Sequence, residues 1–125
     1  LFLIDENLKL TDRILLSPVT SFAWNKDQDK LVYHNDFELF TFNLKTNQKK
    51  LITRFSGGIN HVAWHDSDAY LIYSTKTMVK IIELREGLNR HEYELITLPR
   101  IDSFRLNPED NLIYILGEEL CTKCF

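Results

Sequence analysis

The sequence predicts an all-β protein assembled from repeats of a four-stranded antiparallel unit. Three observations carry that expectation. The segment Val19-Thr20-Ser21-Phe22-Ala23-Trp24-Asn25 recurs as Ile59-Asn60-His61-Val62-Ala63-Trp64-His65 and, weakened, as Ile101-Asp102-Ser103-Phe104-Arg105-Leu106-Asn107. Trp24 to Trp64 spans 40 residues and Trp64 to Leu106 spans 42. Each copy is followed by a short acidic turn and a second apolar run: Leu31-Val32-Tyr33, Leu71-Ile72-Tyr73 and Leu112-Ile113-Tyr114. Within each period, short apolar runs alternate with turn residues at roughly ten-residue spacing, as strands of an antiparallel meander do. Self-similarity at a fixed period of this size points to a solenoid, propeller or array.

Taken in order, Leu1 to Asp5 and Arg13 to Leu16 read as strands closing a preceding unit, so 1–16 is expected to end one blade. Ser17-Pro18 punctuates the chain, and residues 17–58 form the first complete unit. Its strands are expected at Val19 to Trp24, Lys30 to His34, Phe37 to Leu44 and Lys49 to Arg54. Asn25 to Asp29 supply a turn whose side chains bond their own backbone, and Asn35-Asp36 and Thr46-Asn47-Gln48 make the next two turns. The loop Phe55-Ser56-Gly57-Gly58 leads to the second unit, residues 59–99, with strands at Asn60 to Trp64, Tyr70 to Ser74, Val79 to Leu84 and Tyr93 to Leu98. Its fourth strand, Glu94-Leu95-Ile96-Thr97, is matched by letter to Lys50-Leu51-Ile52-Thr53, and the longer loop Arg85 to Glu92 absorbs the changed period. Residues 100–125 begin a third unit that stops after Leu120 to Phe125.

A four-stranded sheet that is apolar on both faces is not stable alone, and radial stacking of such sheets buries both faces. The first strands fit that arrangement. One face carries Phe22 and Trp24, Val62 and Trp64, Phe104 and Leu106; the other carries small Ala23 and Ala63. Large residues opposed to small ones let adjacent sheets interdigitate. Each buried aromatic contributes on the order of 2–3 kcal/mol, so these positions are expected in the core. The expected architecture is a β-propeller fragment of two complete four-stranded blades and two partial ones.

Composition restricts function. The 125 residues are 44% apolar, with a formal net charge of −3 and signs interspersed. That balance argues against a nucleic-acid surface and a polybasic membrane segment, and no apolar run is long enough for a spanning helix. No basic flank precedes Leu1-Phe2-Leu3-Ile4, so a signal peptide is not expected there, and the absence of an initiating Met suggests a piece of a longer chain. Cys121 and Cys124 form a C-x-x-C pair without a second pair of ligands. They are read as ordinary strand residues.

The succession of Trp, an acidic turn and an apolar-apolar-Tyr strand resembles the WD40-like repeats of TolB-type β-propellers, whose motif reads W-S-P-D-G. Here it stands as Trp24-Asn25-Lys26-Asp27, as Trp64-His65-Asp66-Ser67-Asp68, and as Leu106-Asn107-Pro108-Glu109-Asp110. All three copies lack the Gly, and the third lacks the Trp. The Gly-His and Trp-Asp dipeptides of eukaryotic WD40 repeats are absent, which favours the bacterial type. The resemblance implies a propeller, often extracytoplasmic or membrane-anchored; the compartment itself is not legible.

Catalytic motifs are missing: no Gly-x-Ser-x-Gly elbow, phosphate-cradling Gly-Lys-Ser/Thr loop or His-Glu-x-x-His pair occurs. The expected function is a non-catalytic scaffold for a protein or peptide, without cofactor or metal; the acidic turns are read as solvated. The remaining blades, of the same chain or another protomer, are further expected partners. Loops preceding first strands and those joining second to third strands fall on one side of such a blade. Arg54 and Phe55 in these loops, with Asn60, His61, Asp102 and Arg105 on first strands near the expected channel, are the candidate binding residues. His61 stands where the other copies have Ser21 and Ser103, and Arg105 replaces Ala23 and Ala63, so a buried Arg105 would need a carboxylate or carbonyl partner. The alternative is a hydrolase propeller, catalytic or gating, with His61, Asn60, Asp102 and Arg105 converging on a channel. Convergence without packing partners would favour the enzyme, and absorption of these side chains into ion pairs and core would favour the scaffold.

Overall fold

The computed structural model describes residues 19–84, 91–107, 109 and 112–118. The expected strands at Leu1 to Asp5, Arg13 to Leu16 and Leu120 to Phe125, and both cysteines, lie outside the described residues. Within them the chain is all-β and antiparallel, and contains no helix that could cross a membrane. The first sheet is a meander of β1 (Ser21–Trp24), β2 (Lys30–His34), β3 (Glu38–Asn43) and β4 (Gln48–Arg54). The second repeats it with β5 (His61–Trp64), β6 (Tyr70–Ser74), β7 (Met78–Glu83) and β8 (Glu92–Thr97). A third sheet pairs β9 (Arg100–Asn107) with β10 (Leu112–Glu118).

The repeat is kept bond for bond. Thr20 N–H to His34 O, Asn25 N–H to Lys30 O, Gln28 N–H to Asn25 O and Leu44 N–H to Asp29 O each recur 40 positions later, at Asn60, His65, Asp68 and Leu84. Gln28 and Asp68 both have left-handed backbone, with φ of 57° and 62°. This is the place the missing motif Gly would occupy. A non-Gly residue there is uncommon and carries a conformational cost. The turns after second strands are likewise matched. Asn35 Oδ1 accepts from the amides of Phe37 and Glu38, and Thr75 Oγ1 accepts from those of Thr77 and Met78.

The fourth strands depart from their letter match. Leu39 pairs with Thr53 and Val79 with Ile96, and each pair is followed by a bulge. Ile52 therefore corresponds to Leu95 and Thr53 to Ile96, one residue away from the alignment of the two Leu-Ile-Thr triplets. A slip of one residue exchanges the faces of a strand. The bulge, an extra residue on the outer strand, determines which side chain turns inward.

The sheets pack face to face with the first strands adjacent. Between the first and second sheets lie Val32, Leu39 and Ile52 against Ile59, Trp64, Leu71, Tyr73 and Ile82, with Ala23, Val62, Phe55 and Leu84 at their margin. Trp64 fills the space that Ala23 leaves. Between the second and third sheets, Ile72, Val79, Ala63 and Ile81 meet Phe104, Leu106, Ile113 and Ile115. The expected alternation of large against small thus appears at both contacts. It does not extend to the outer face of the first sheet. Phe22 is 50% exposed and Trp24 36%, whereas Trp64 is 8% exposed. The expectation that all three lie in the core is corrected, because no other sheet of the described residues packs on the Phe22 and Trp24 face. Arg105 is also exposed rather than buried, since its face of the third sheet, shared with Leu112, Tyr114 and Leu116, is the other terminal one.

Candidate functional site

The candidate residues gather where first strands begin, because the loops there are tied together. Phe55 N–H donates to Phe37 O and Ile59 N–H to Asp36 O, so the loop before β5 lies on the β2–β3 turn. Leu98 N–H to Thr77 O and Ile101 N–H to Lys76 O repeat the arrangement one sheet on. Gly58, at φ 94°, makes the sharp reversal, and a Cβ there would contact the Asp36 carbonyl at 3.7 Å.

On this platform Asn60, His61 and Asp102 come together. His61 Nδ1 is 3.0 Å from Asn60 O, and Nε2 is 3.0 Å from Asp102 O across the junction of the second and third sheets. Both partners are acceptors, so a neutral ring donates to one carbonyl at a time. Burial pushes the imidazole below its ordinary value. The Asp102 carboxylate is 3.1 Å from Arg100 Nε. Arg54 extends to Glu38 at 3.0 Å, and this ion pair and the Asn35 amide hold the Glu38 carboxyl below its usual range, the amide bond first. Half-buried Phe55 sits edge-on to Tyr73 at 6.4 Å and under Lys80 Nζ at 4.8 Å. Arg105 does not join them; it lies toward the other end of β9, in a groove of about 680 Å3 shared with Trp24, Lys26, His65 and Asp66.

Sequence reading missed a second pair in the same region. Ser21 Oγ is 2.5 Å from His34 Nε2, and His34 Nδ1 donates to Asn35 O at 2.8 Å. Because Nδ1 faces a carbonyl, it carries the proton, and Nε2 accepts from the serine hydroxyl. His34 is wholly buried. Burial is the main cause that lowers its pKa, with nearby His61 acting in the same direction, against the Asn35 bond and Asp36. The second unit carries the same two residue types exchanged, His61 opposite Ser74, but there His61 turns to Asp102 and Ser74 Oγ is left buried without a partner among the described residues. The signal was available in the hairpin spacing, which places residue 21 opposite 34.

At the opposite end of the sheets the acidic turns meet. Carboxylate oxygens of Asp27, Asp29 and Asp68 lie within 4.8 Å of one another. Buried Asn25 donates to Asp29 at 2.6 Å and to Asp68 at 3.1 Å. Lys45 and Lys30 approach these same two carboxylates at 3.4 and 3.9 Å, so the cluster is met by cations and amides of the chain itself.

No known protein-family model matches the chain, and no curated protein is significantly similar to it.

Proposed function

We propose that the chain is a stretch of a TolB-like, WD40-like β-propeller and serves as a non-catalytic scaffold for a protein or peptide. The observation that carries the scaffold reading is the commitment of the polar candidates. Both ring nitrogens of His61 face backbone carbonyls, Asp102 is engaged by Arg100, and Arg54 by Glu38. Side chains held this way give a firm surface, and the His61 nitrogen that does not donate faces a backbone carbonyl, with no hydroxyl or thiol among the described residues to activate. The loops are bonded to one another, which presents Arg54, Phe55 and Asn60 on one preorganised platform. The propeller reading is supported by the exact 40-residue recurrence of backbone bonds and by unlike terminal faces. The aromatic face of the first sheet is the repeat equivalent of the face by which the second sheet packs on the first. The Arg105 face of the third is the equivalent of its receiving side. Further blades, from a longer chain or another protomer, would cover both.

The test is selection of peptides from a displayed library on the 125-residue chain, followed by titration against Arg54→Ala and Asn60→Ala. Loss of affinity in both, with Arg105→Ala unchanged, is the expected result. Peptides that bind all variants equally would remove the platform from the proposal. A hydrolase is the second reading, favoured by the Ser21–His34 hydrogen bond. Covalent labelling of Ser21 by a serine-reactive phosphonate, lost in His34→Gln, would establish it over the scaffold.

A further inference from the structure

The outermost strands of the two complete sheets share one geometry and are guarded differently. Read through the bulge, Glu92 stands for Lys49, Tyr93 for Lys50, Glu94 for Leu51 and Leu95 for Ile52. Lysines on an edge strand oppose the addition of a further strand, because their charge and hydration resist being laid beside another chain. β4 carries two in succession and β8 carries none. Every residue of β8 is exposed, and Tyr93 and Leu95 remain 49% and 47% exposed.

The backbone of that edge is open. β8 ends its sheet, with β7 on one side and no strand of the described residues on the other. Glu83 N–H donates to His91 O, so residue 91 faces β7. The alternation of an antiparallel ladder turns Tyr93 the same way and directs the N–H and C=O groups of Glu92 and Glu94 outward. The side chains alternate as well. Tyr93 shares the face of Ile81, and Glu94 the face of Lys80. Lys80 Nζ is 3.1 Å from Glu92, which also accepts from the Tyr73 hydroxyl. Glu94 has no cation among the described residues; its carboxylate accepts from Thr97 of the same strand. A strand laid against β8 therefore meets uncompensated negative charge on one face and apolar surface on the other, at a period of two.

We propose that the outer edge of β8 is a docking site for an extended peptide in which Lys or Arg alternates with apolar residues. The peptide pairs antiparallel with Glu92 to Glu94 and exchanges backbone hydrogen bonds with both glutamates. It sets a cation opposite Glu94 and an apolar side chain opposite Tyr93. The bulge at Leu95 limits the pairing to the part of the strand before it. Two copies joined β8 to β8 through the same outward groups would set glutamates opposite one another, which is unfavourable. This edge is separate from the platform of loops, so it adds a second surface to the scaffold reading and does not depend on the first.

A fluorescein-labelled peptide Lys-Val-Lys-Val-Lys-Val-Lys, titrated with the 125-residue chain and followed by fluorescence polarisation, tests the proposal. The controls are Glu-Val-Glu-Val-Glu-Val-Glu, the block order Lys-Lys-Lys-Lys-Val-Val-Val, and the first peptide N-methylated at its lysines. Saturable binding of the first peptide alone is expected. Glu94→Lys, and Tyr93→Lys with the residue that the first sheet carries there, alter exposed side chains and should leave the circular dichroism unchanged. Each should weaken binding about fivefold, as the loss of a good cross-strand pair does. Amide exchange at Glu92 and Glu94 should slow in the complex, whereas Tyr93, already bonded within the sheet, should change little. Peptides selected on the platform should bind Glu94→Lys as they bind the parent chain, so failure at one surface is distinct from failure at the other. Equal binding of any control peptide, affinity unchanged in both variants, or self-association that Tyr93→Lys abolishes in place of peptide binding would overturn the proposal.

Discussion

Trp24 and Trp64 occupy equivalent positions in consecutive repeats, yet the stacking of the sheets assigns them different energies. Replacing each by Ala measures that difference. A tryptophan side chain presents roughly 250 Å2, and Trp64 is 8% exposed against 36% for Trp24. At about 25 cal/mol/Å2 the burial terms are roughly 6 and 4 kcal/mol. The Cβ that alanine keeps and the partial burial in the denatured chain reduce these to about 4 and 2.5 kcal/mol. A cavity term widens the gap, because the space around Trp64 is walled by Val32, Leu71 and Ile82 in two sheets, whereas solvent can fill the site of Trp24. Trp64→Ala is expected to cost at least about 1.5 kcal/mol more than Trp24→Ala, a difference of roughly 5 °C in Tm for a chain of this size. Urea unfolding followed by circular dichroism, with thermal melts alongside, gives both values. Equal costs, or a larger one for Trp24, would refute the reasoning: the outer face of the first sheet would then be covered as fully as the inner contact.

Gln28→Gly removes a side chain from left-handed backbone and should stabilise the chain by about 0.5–1 kcal/mol, after the extra freedom of glycine in the unfolded state is set against the relief; an unchanged or lower urea midpoint would contradict it. Ala23→Leu places three more carbons against Trp64 and should cost about 1–3 kcal/mol, while Arg105→Leu at the equivalent exposed position should leave the midpoint nearly unchanged. Burial lowers the pKa of His34, so the unfolded chain binds more protons between the folded value and the ordinary imidazole value of about 6.5. The stabilising contribution is fully present above about pH 6.5 and is lost as pH falls below it toward the folded value. Urea midpoints should therefore drop from about pH 7.5 to about pH 5, less steeply in His34→Gln, and a midpoint independent of pH in both chains would exclude the effect.

The sequence by itself determined the repeat, the all-β class and the positions of most strands, because period-two alternation and turn chemistry are local. Asn25, Asn35 and Thr75 form their turns with neighbours in sequence, so their roles are legible from spacing. The gathering of Asn60, His61 and Asp102 was also accessible, since antiparallel meanders bring those loops to one side. Tertiary structure alone decided the rest. A letter match could not reveal the bulges at Ile52 and Leu95, which depend on how an outer strand bends over a neighbouring sheet. Burial of Trp64 but not Trp24, and exposure of Arg105, depend on which face receives another sheet, and identical repeats carry no record of that. The Ser21–His34 bond was within reach of hairpin spacing, but the meeting of Asn25 with Asp68, 43 residues apart, is fixed only when the sheets stack, because no local pattern records which turns will face each other.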